Sequence, residues 1–447
     1  MPLLGTRGAA SAKGFGFTNL VSLGGPHWFM TQNRGTSNYL QVDVSGLTVD
    51  SAFNVYTNGF SMPSSNLQAF QIFKIDKTGT VQWQRNLSAS STTYVAQGND
   101  ITFDSSGNLY LTGISEVTGS GSYFLTLVKY DNSGTLLFQR QYNWGLEYGY
   151  SGKVRVDSSG NIYVVSKSNN LGGTIKIQKF DSSLVKQWER SYNDTFSPTI
   201  NAGGFSLASS GNLYISGSGV AAPTYTNYPV LLKYNSSGVL QWQRNLTGAS
   251  NSTYFTTGNA VDSSENVYVC GQINNGSSAN ILIAKYNSSG TLQWQRQLAG
   301  ASTSEAQGLA LDSSGNVYVA GTSSSTGVVV KYNSSGTIQW QRNIGNSSGV
   351  LGGAMFVDAN GDIYPSYLIY TGAYTPLISK LPSDGSKTGT YTVGSQTITY
   401  AASSLTGSTP SLTETTPTLT DASSSSTVVT TTLTSGTTSY TTSLGTV

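Results

Sequence analysis

The sequence holds one cysteine (Cys270), one histidine (His27) and four methionines among 447 residues. A lone cysteine excludes an intrachain disulfide framework. One Cys and one His together exclude zinc sites built from those ligands and most histidine-dependent catalysis. Charge is scarce too: Asp, Glu, Lys and Arg make up 10% of the chain, against roughly 25% in a typical globular protein. A formal net charge of +2 gives no basic footprint, so no nucleic-acid partner is expected. No stretch approaches the ~20 consecutive apolar residues of a membrane span, so no membrane insertion is expected. The opening MPLLGTRGAASAKGFGFT is broken by Arg7, Lys13 and several glycines, unlike the apolar stretch of a secretory leader. What the chain does have is glycine (51 residues), tyrosine (27 residues) and an excess of Ser and Thr. Aromatics at 11% supply apolar material for a core, which argues against disorder throughout.

Internal repetition organises this material. One phrase reads DSSGNVYVAG at Asp312–Gly321, with variants starting at Asp50, Asp104, Asp157, Ala208, Asp262 and Asp358. A second phrase, KYNSSGTLQWQR at Lys285–Arg296, has relatives starting at Lys74, Lys129, Lys179, Lys233, Lys331 and, much degraded, Lys380. The two alternate strictly in seven copies, and successive starts of the first lie 54, 53, 51, 54, 50 and 46 residues apart. Each phrase reads as a β-hairpin. In the first, Asp and Ser bond nearby backbone N–H groups and Gly takes the φ > 0 position. Val-Tyr-Val-Ala then follows as a strand. Two hairpins per repeat make a four-stranded sheet. Seven such sheets without helical periodicity predict an all-β fold, a seven-bladed β-propeller, with a straight β-solenoid as the competing geometry.

Ring closure has its own signal. The aromatic of the second phrase precedes the next first phrase by 18 to 21 residues, from Trp83 to Asp104 through Trp340 to Asp358, and Trp28 precedes Asp50 by 22. Trp28–Gln32 therefore reads as a strand separated from its hairpin partner, which is the last copy near Lys380. Pairing the two would complete the final blade and protect two open edges.

Together DSSGNVYVAG and KYNSSGTLQWQR resemble the bacterial seven-bladed β-propeller repeat family, over about Trp28 to Lys380. The Gly290-x-x-x-Trp294 spacing is also similar to the tryptophan-docking repeat of quinoprotein propellers. That resemblance would imply a cofactor pocket, calcium ligands and an adjacent cysteine pair. Cys270 stands alone, so the activity is not carried over and no cofactor is expected. The opening MPLLGTRGAASAKGFGFT and the ending LPSDGSKTGTYTVGSQTITYAASSLT resemble the termini of tail-associated virion proteins of phages infecting marine cyanobacteria.

The C-terminal stretch is a different material. From Ala401 onward Ser and Thr supply 28 of 47 residues, and the charges there are Glu414 and Asp421. Leu-Thr pairs at Leu405, Leu412, Leu419 and Leu433 follow a seven-residue step with one slot skipped, and Pro410 and Pro417 share that step. Thr-rich sequence with recurring Pro is a poor helix, so an extended or β-structured stalk is expected rather than a coiled coil, with disorder the alternative for an isolated monomer. One apolar residue per seven buries little within one tail, so association of identical copies, a homo-oligomer, is expected. The domain reading is residues 1–27 as a docking segment, 28–391 as the propeller and 392–447 as the Ser/Thr-rich tail.

Candidate chemistry is thin. Trp83, Trp188, Trp242, Trp294 and Trp340 could form sugar-binding platforms, but identical placement in each repeat reads as structural plugs between blades. The repeated Lys and Arg residues read as Asp–Arg or Lys–carbonyl stitches. Asp358–Asp362 has the wrong order for an EF-hand loop, and no metal is expected. His27 and Cys270 lack a recognisable partner set. A glycan hydrolase needs two carboxylates across a groove, and the off-pattern acids Glu116, Glu147, Asp194 and Glu305 show no pairing. The expectation is a non-enzymatic structural component of a phage tail, located in the virion among other tail proteins. Host glycan or protein would meet loop residues Trp144, Tyr148, Tyr150, Tyr225 and Tyr228. The alternatives are a bacterial surface or matrix propeller that binds glycans, or a tail depolymerase.

Overall fold

The computed structural model describes residues 17–22, 27–32, 42–64, 67–87, 96–116, 123–146, 152–168, 174–193, 200–221, 226–247, 252–274, 278–300, 303–370, 372, 374–393, 395–410, 413–415 and 420–423. The chain opens with β1 (Phe17–Ser22) and β2 (Trp28–Gln32). Blade one is β3 (Val42–Val49), β4 (Val55–Ser64), β5 (Leu67–Ile75) and β6 (Val81–Leu87). Blade two is β7 (Ala96–Phe103), β8 (Leu109–Glu116), β9 (Tyr123–Tyr130) and β10 (Leu136–Leu146). Blade three is β11 (Lys153–Val156), β12 (Ile162–Ser168), β13 (Thr174–Phe180) and β14 (Lys186–Asn193). Blade four is β15 (Ile200–Leu207), β16 (Leu213–Ala221), β17 (Thr226–Tyr234) and β18 (Leu240–Thr247). Blade five is β19 (Ser252–Val261), β20 (Val267–Asn274), β21 (Ala279–Tyr286) and β22 (Leu292–Ala299). Blade six is β23 (Ser304–Leu311), β24 (Val317–Ser323), β25 (Thr326–Tyr332) and β26 (Ile338–Gly345). Blade seven takes β27 (Val350–Val357), β28 (Ile363–Tyr370) and β29 (Tyr374–Lys380) from the end of the repeats. Its fourth strand is β2, with Met30 opposite Ile378 and Trp28 opposite Lys380. The fold is a seven-bladed β-propeller, and the N-terminal strand closes it.

The turns form as their chemistry demands. In Asp104–Asn108 the Asp104 Oδ1 accepts the N–H groups of Ser106 and Asn108, each at 2.9 Å, and Gly107 has φ 78°. The same Asx-type capture recurs at Asp157, Asp262, Asp312 and Asp358. Both hairpin turns of a blade lie on one face of the ring, because an antiparallel meander alternates its connections. The opposite face carries the loops between second and third strands and between blades.

The core is layered between blades rather than gathered at one centre. One layer joins Tyr268, Ile281 and Ile283 of blade five to Val317, Val328 and Val330 of blade six. Another joins Trp28, Met30 and Ile378 of blade seven to Val55, Phe73 and Ile75 of blade one. Middle strands therefore have neighbours on both faces, and β24 is buried at all seven residues. This is why its sequence, VYVAGTS, does not alternate apolar with polar.

Five of the seven seams carry one recurring clamp; blade two has Phe138 in place of the Trp. The Trp242 indole donates through Nε1 to Ser288 O of blade five at 3.0 Å, and Arg244 Nε donates to Gly290 O at 2.7 Å. A Cβ at Gly290 would sit 2.8 Å from the Trp242 ring, and φ there is +80°, so sterics and backbone both require glycine. The same pair of bonds is made by Trp188–Arg190, Trp294–Arg296 and Trp340–Arg342 to the following turn. Trp83 and Arg85 bond Asn132 O and Gly134 O likewise. Trp28 continues the series by donating to Lys77 O of blade one at 3.2 Å. The arginines thus go to carbonyls rather than to the repeat Asp residues. Lysines also reach neighbouring carbonyls, as Lys233 does to Ser288 O at 3.1 Å.

Beyond blade seven the chain returns to the rim. β30 (Gly389–Val393) and β31 (Gln396–Ala402) extend blade six, with β31 paired to β26. β32 (Thr406–Ser408) pairs with β22, β33 (Thr413–Thr415) with β18 and β34 (Thr420–Ser423) with β14. The segment read as an extension from residue 392 adds edge strands to blades six, five, four and three in turn. Its seven-residue period is the step from one blade to the next. Leu405 packs on the layer between blades five and six; Leu412, Leu419 and Leu433 lie outside the described residues.

Trp294 is half-buried, so Trp294→Ala should cost about 2 kcal/mol or more, below the ~3–5 of a fully buried Trp. A calorimetric melting temperature equal to that of the parent protein would contradict the clamp.

Candidate functional site

On the turn face, each station spends its polar groups internally. In blade six Asp312 Oδ2 accepts from Asn316 Nδ2 at 2.7 Å and Tyr318 OH at 3.0 Å, and the Lys331 ammonium lies 5.1 Å from the Tyr318 ring centre. Burial and the facing carboxylate push the Tyr318 phenol far above its ordinary value. Such stations hold strands together.

Blade four breaks the pattern, because Ala208 stands where its neighbours have Asp. Blade five breaks it in a complementary way, with Glu265 in the turn-glycine position at φ 60°. Glu265 reaches back across the seam and accepts from Asn212 Nδ2 at 2.9 Å, Tyr214 OH at 2.8 Å and Lys233 Nζ at 2.9 Å. The neighbouring blade thus supplies the missing carboxylate. Burial would raise the Glu265 pKa, but donors from Ser210, Lys233, Asn212 and Tyr214 together outweigh it and hold it at about 2.

Blade seven carries a second variant. Asp362 replaces the turn Asn and meets Lys380 Nζ at 3.3 Å, while His27 Nε2 lies 3.1 Å from its other oxygen. His27 is thereby tied to the closing seam. Asp358 accepts from the Asn360 and Asp362 amides and from Tyr364 OH, so Asp358–Asp362 is a repeat turn. Cys270 is fully buried on β20, its Sγ against Gly258.

Three acids stand apart from the repeated stations. On β7, Asp100 is buried and accepts Val154 N at 2.9 Å and Arg155 Nη1 at 2.7 Å, tying blades two and three. Glu189 is enclosed in blade three by Gln178 Nε2 at 2.6 Å and Lys186 Nζ at 3.0 Å. Glu305 is different. It lies near the start of β23, the innermost strand of blade six, at the end nearest the loop face, and it alternates with the buried Ser304 and Ala306. Its partner is the amide of Gln307, and burial pushes its pKa above the ordinary carboxylate value. An upward shift of this kind is the property expected of a proton-transfer group. Sequence reasoning had marked Glu305 as off-pattern, but nothing in the sequence indicated its burial.

Of the loop aromatics expected to meet a host, Trp144 falls within β10, and Tyr148, Tyr150 and Tyr225 lie outside the described residues. Tyr228 requires correction. It lies on β17, buried, with its ring where a side chain at Gly219 would be. The strand begins earlier than the sequence implied, and the missing Cβ at Gly219 gives the ring room, so Tyr228 offers no surface. Glu116 ends β8; Glu147 and Asp194 lie outside the described residues. Trp83, Trp188, Trp242, Trp294 and Trp340 sit at the seams, each about 6 Å from the Tyr of its own blade.

Residues 293–327 match the family model described as a Beta-propeller repeat. An uncharacterized WD repeat-containing protein of Acanthamoeba polyphaga mimivirus is 24% identical over 355 residues, which cover 64% of this chain and 24% of that protein. The chain thus spans about a quarter of that relative's length. Among solved structures, polysaccharide lyase Uly1 superposes with a TM-score of 0.51 at 10% identity, covering 78% of this chain and 92% of its own. An ulvan lyase bound to a glucuronate–sulfated rhamnose unit gives 0.46 at 9% identity, covering 75% and 91%. These likenesses are of fold. The expectation that the chain is not an enzyme is nonetheless overturned: a propeller that superposes on this one over most of its length is the scaffold of a polysaccharide lyase. That expectation rested on the missing hydrolytic carboxylate pair, which elimination chemistry does not require.

The Glu265 bridge should be separable from the fold. Glu265→Gly should lower stability by about 1–2 kcal/mol, the loss of charge-assisted bonds partly offset by relief of the left-handed backbone. Adding Ala208→Asp should restore the melting temperature by returning a carboxylate to blade four. Because the folded pKa is depressed, the parent bridge contributes fully above the ordinary value of 4.5 and fades as pH falls towards about 2. An acid-unfolding curve for Glu265→Gln that superimposes on the parent curve would refute this.

Proposed function

We propose that the chain is a polysaccharide-engaging propeller that uses its loop face, with Glu305 as the proton-transfer group. The observation that supports this most is the raised pKa of Glu305 at the loop-face end of an innermost strand. The fold shared with polysaccharide lyase Uly1 supports the substrate class. The turn face is committed to holding blades together, which leaves the loop face for a polymer. A carboxyl that stays protonated to higher pH can donate to a leaving oxygen, and its ionised form can take a proton.

The setting we propose is a virion tail, with other tail proteins as neighbours and a host surface glycan as the polymer. Its support is the wording of the two termini. The same face on a bacterial surface or matrix protein is the alternative setting, and virion-assembly genes on either side of the coding sequence would decide between them.

Incubation with acidic and neutral polysaccharides, followed by size-exclusion chromatography and ultraviolet detection of unsaturated ends, tests the reading. One class of polymer should raise the melting temperature and be shortened. Glu305→Gln should bind as before, melt no lower at neutral pH and lose the shortening. If no polymer in the panel shifts the melting temperature or changes length, the proposal fails.

A further inference from the structure

The outer edges of the blades are covered unevenly among the described residues, and the pattern has a direction. β31, β32, β33 and β34 cover the fourth strands of blades six, five, four and three, and β1 covers β2 of blade seven. The sheets of blades one and two end at β6 and β10 with four strands each. These two edges are the next ones along the path the chain is already following. An edge strand offers backbone donors and acceptors on which a further strand can be laid.

The register repeats from blade to blade. Ile344 pairs with Tyr400, Leu298 with Gly407, Leu246 with Glu414 and Tyr192 with Asp421. Each blade residue stands four positions after its seam Trp, and each tail residue stands seven positions after the previous one. The threonine just before each tail residue is Thr399, Thr406, Thr413 or Thr420, and the same step reaches Thr427 and Thr434. On the blades, the corresponding positions are Tyr142 of β10 and Leu87 of β6, four residues after Phe138 and Trp83. Seven extended residues span about 23 Å, and Ser424–Val447 is long enough for both steps. Where the belt is described, it is held by more than backbone. Gln341 Nε2 donates to Leu405 O at 2.8 Å, and Leu405 packs on the layer between two blades.

We infer that the outer edges of blades two and one are the docking sites of this chain's own C-terminal segment. Val428 pairs opposite Tyr142 and Ser435 opposite Leu87. Leu433 repeats the place of Leu405 one seam short of closure. With β1 on blade seven, all seven outer edges are then covered, and the N- and C-terminal segments together form one girdle. The Ser/Thr-rich composition follows from this role. Threonine favours strands, and a rim strand has one side in water.

Hydrogen–deuterium exchange on the full chain tests this directly. Backbone amides of β6 and β10 should exchange as slowly as those of β14, β18 and β22. Neighbouring amides in a strand point alternately towards and away from the partner, so two adjacent prolines must remove a docking bond. Thr427→Pro/Val428→Pro should abolish the protection of β10 while leaving β18 and β22 protected. Thr431→Pro should change nothing, because it falls at the seven-residue phase of Pro410, which lies outside the strands after β32. Unprotected β6 and β10 edges in the parent protein, or protection of β10 that survives Thr427→Pro/Val428→Pro, would overturn the inference. So would protection that disappears on dilution in step with a fall in mass by light scattering, since the docked segment would then belong to a second copy.

Discussion

The contact on which the ring depends is an indole laid against a glycine. A blade has two apolar faces and little depth, so it is stable only when a neighbour covers each face. The seam must bring those faces together at one fixed rotation, and the Trp–Gly contact does so by shape. Any side chain at Gly238, Gly290, Gly336 or Gly385 would meet the ring of the preceding blade at under 3 Å. The indole N–H and the arginine Nε then bond the carbonyls of the same turn, so turn, ring and guanidinium lock as a unit. Every such clamp points the same way, from one blade to the next. A series of directed clamps is complete only in a closed ring, and Trp28 on β2 provides the clamp that no residue after Lys380 could. Closure and seam packing are therefore the same interaction.

That dependence explains how the stations tolerate substitution. The carboxylate on the turn face keeps a buried Tyr hydroxyl and a Lys ammonium satisfied, and leaving them without it would strand polar groups at the seam. Blade four has Ala208 in place of that Asp, yet the corresponding donors are satisfied from the next blade by Glu265, at the cost of a left-handed backbone that glycine would adopt freely. The position of the negative charge is retained although its residue has moved to a different blade. Blade seven shows the same logic with Asp362, Lys380 and His27, whose contacts join the two ends of the repeat region.

Much of the fold was legible because its determinants are local and repeat. Asp-Ser-Ser-Gly-Asn specifies a turn wherever it occurs, and the interval from Trp28 to Asp50 located the closing strand. The path of the C-terminal segment was not legible for a physical reason. A period of seven suggests helices in contact, and only the distance between neighbouring blade edges, a tertiary quantity, shows that the period measures a rim. Tyr228 was misplaced because the space above Gly219 is created by strand pairing. Glu305 could be recognised as outside the repeat, but its raised proton affinity comes from burial that the sequence does not encode locally. The exclusion of enzyme chemistry failed for a related reason: it looked for one reaction's pair of groups, and a propeller can host others.

The two faces of the ring are unequal in a way that bears on function. On the turn face, the Asp, Asn, Tyr, Lys, Trp and Arg of a repeat such as blade six are engaged, so a change there acts on stability first. On the loop face, the blades are free to differ, because the clamps that hold them lie on the other side. Glu305 with Gln307, at the loop-face end of β23, lies within one blade. A rigid ring held from one face and along its rim presents the other as a surface whose residues can change without unfolding the scaffold. Glu305 illustrates the arrangement: its raised pKa comes from burial on an innermost strand of that ring, at the end away from the clamps.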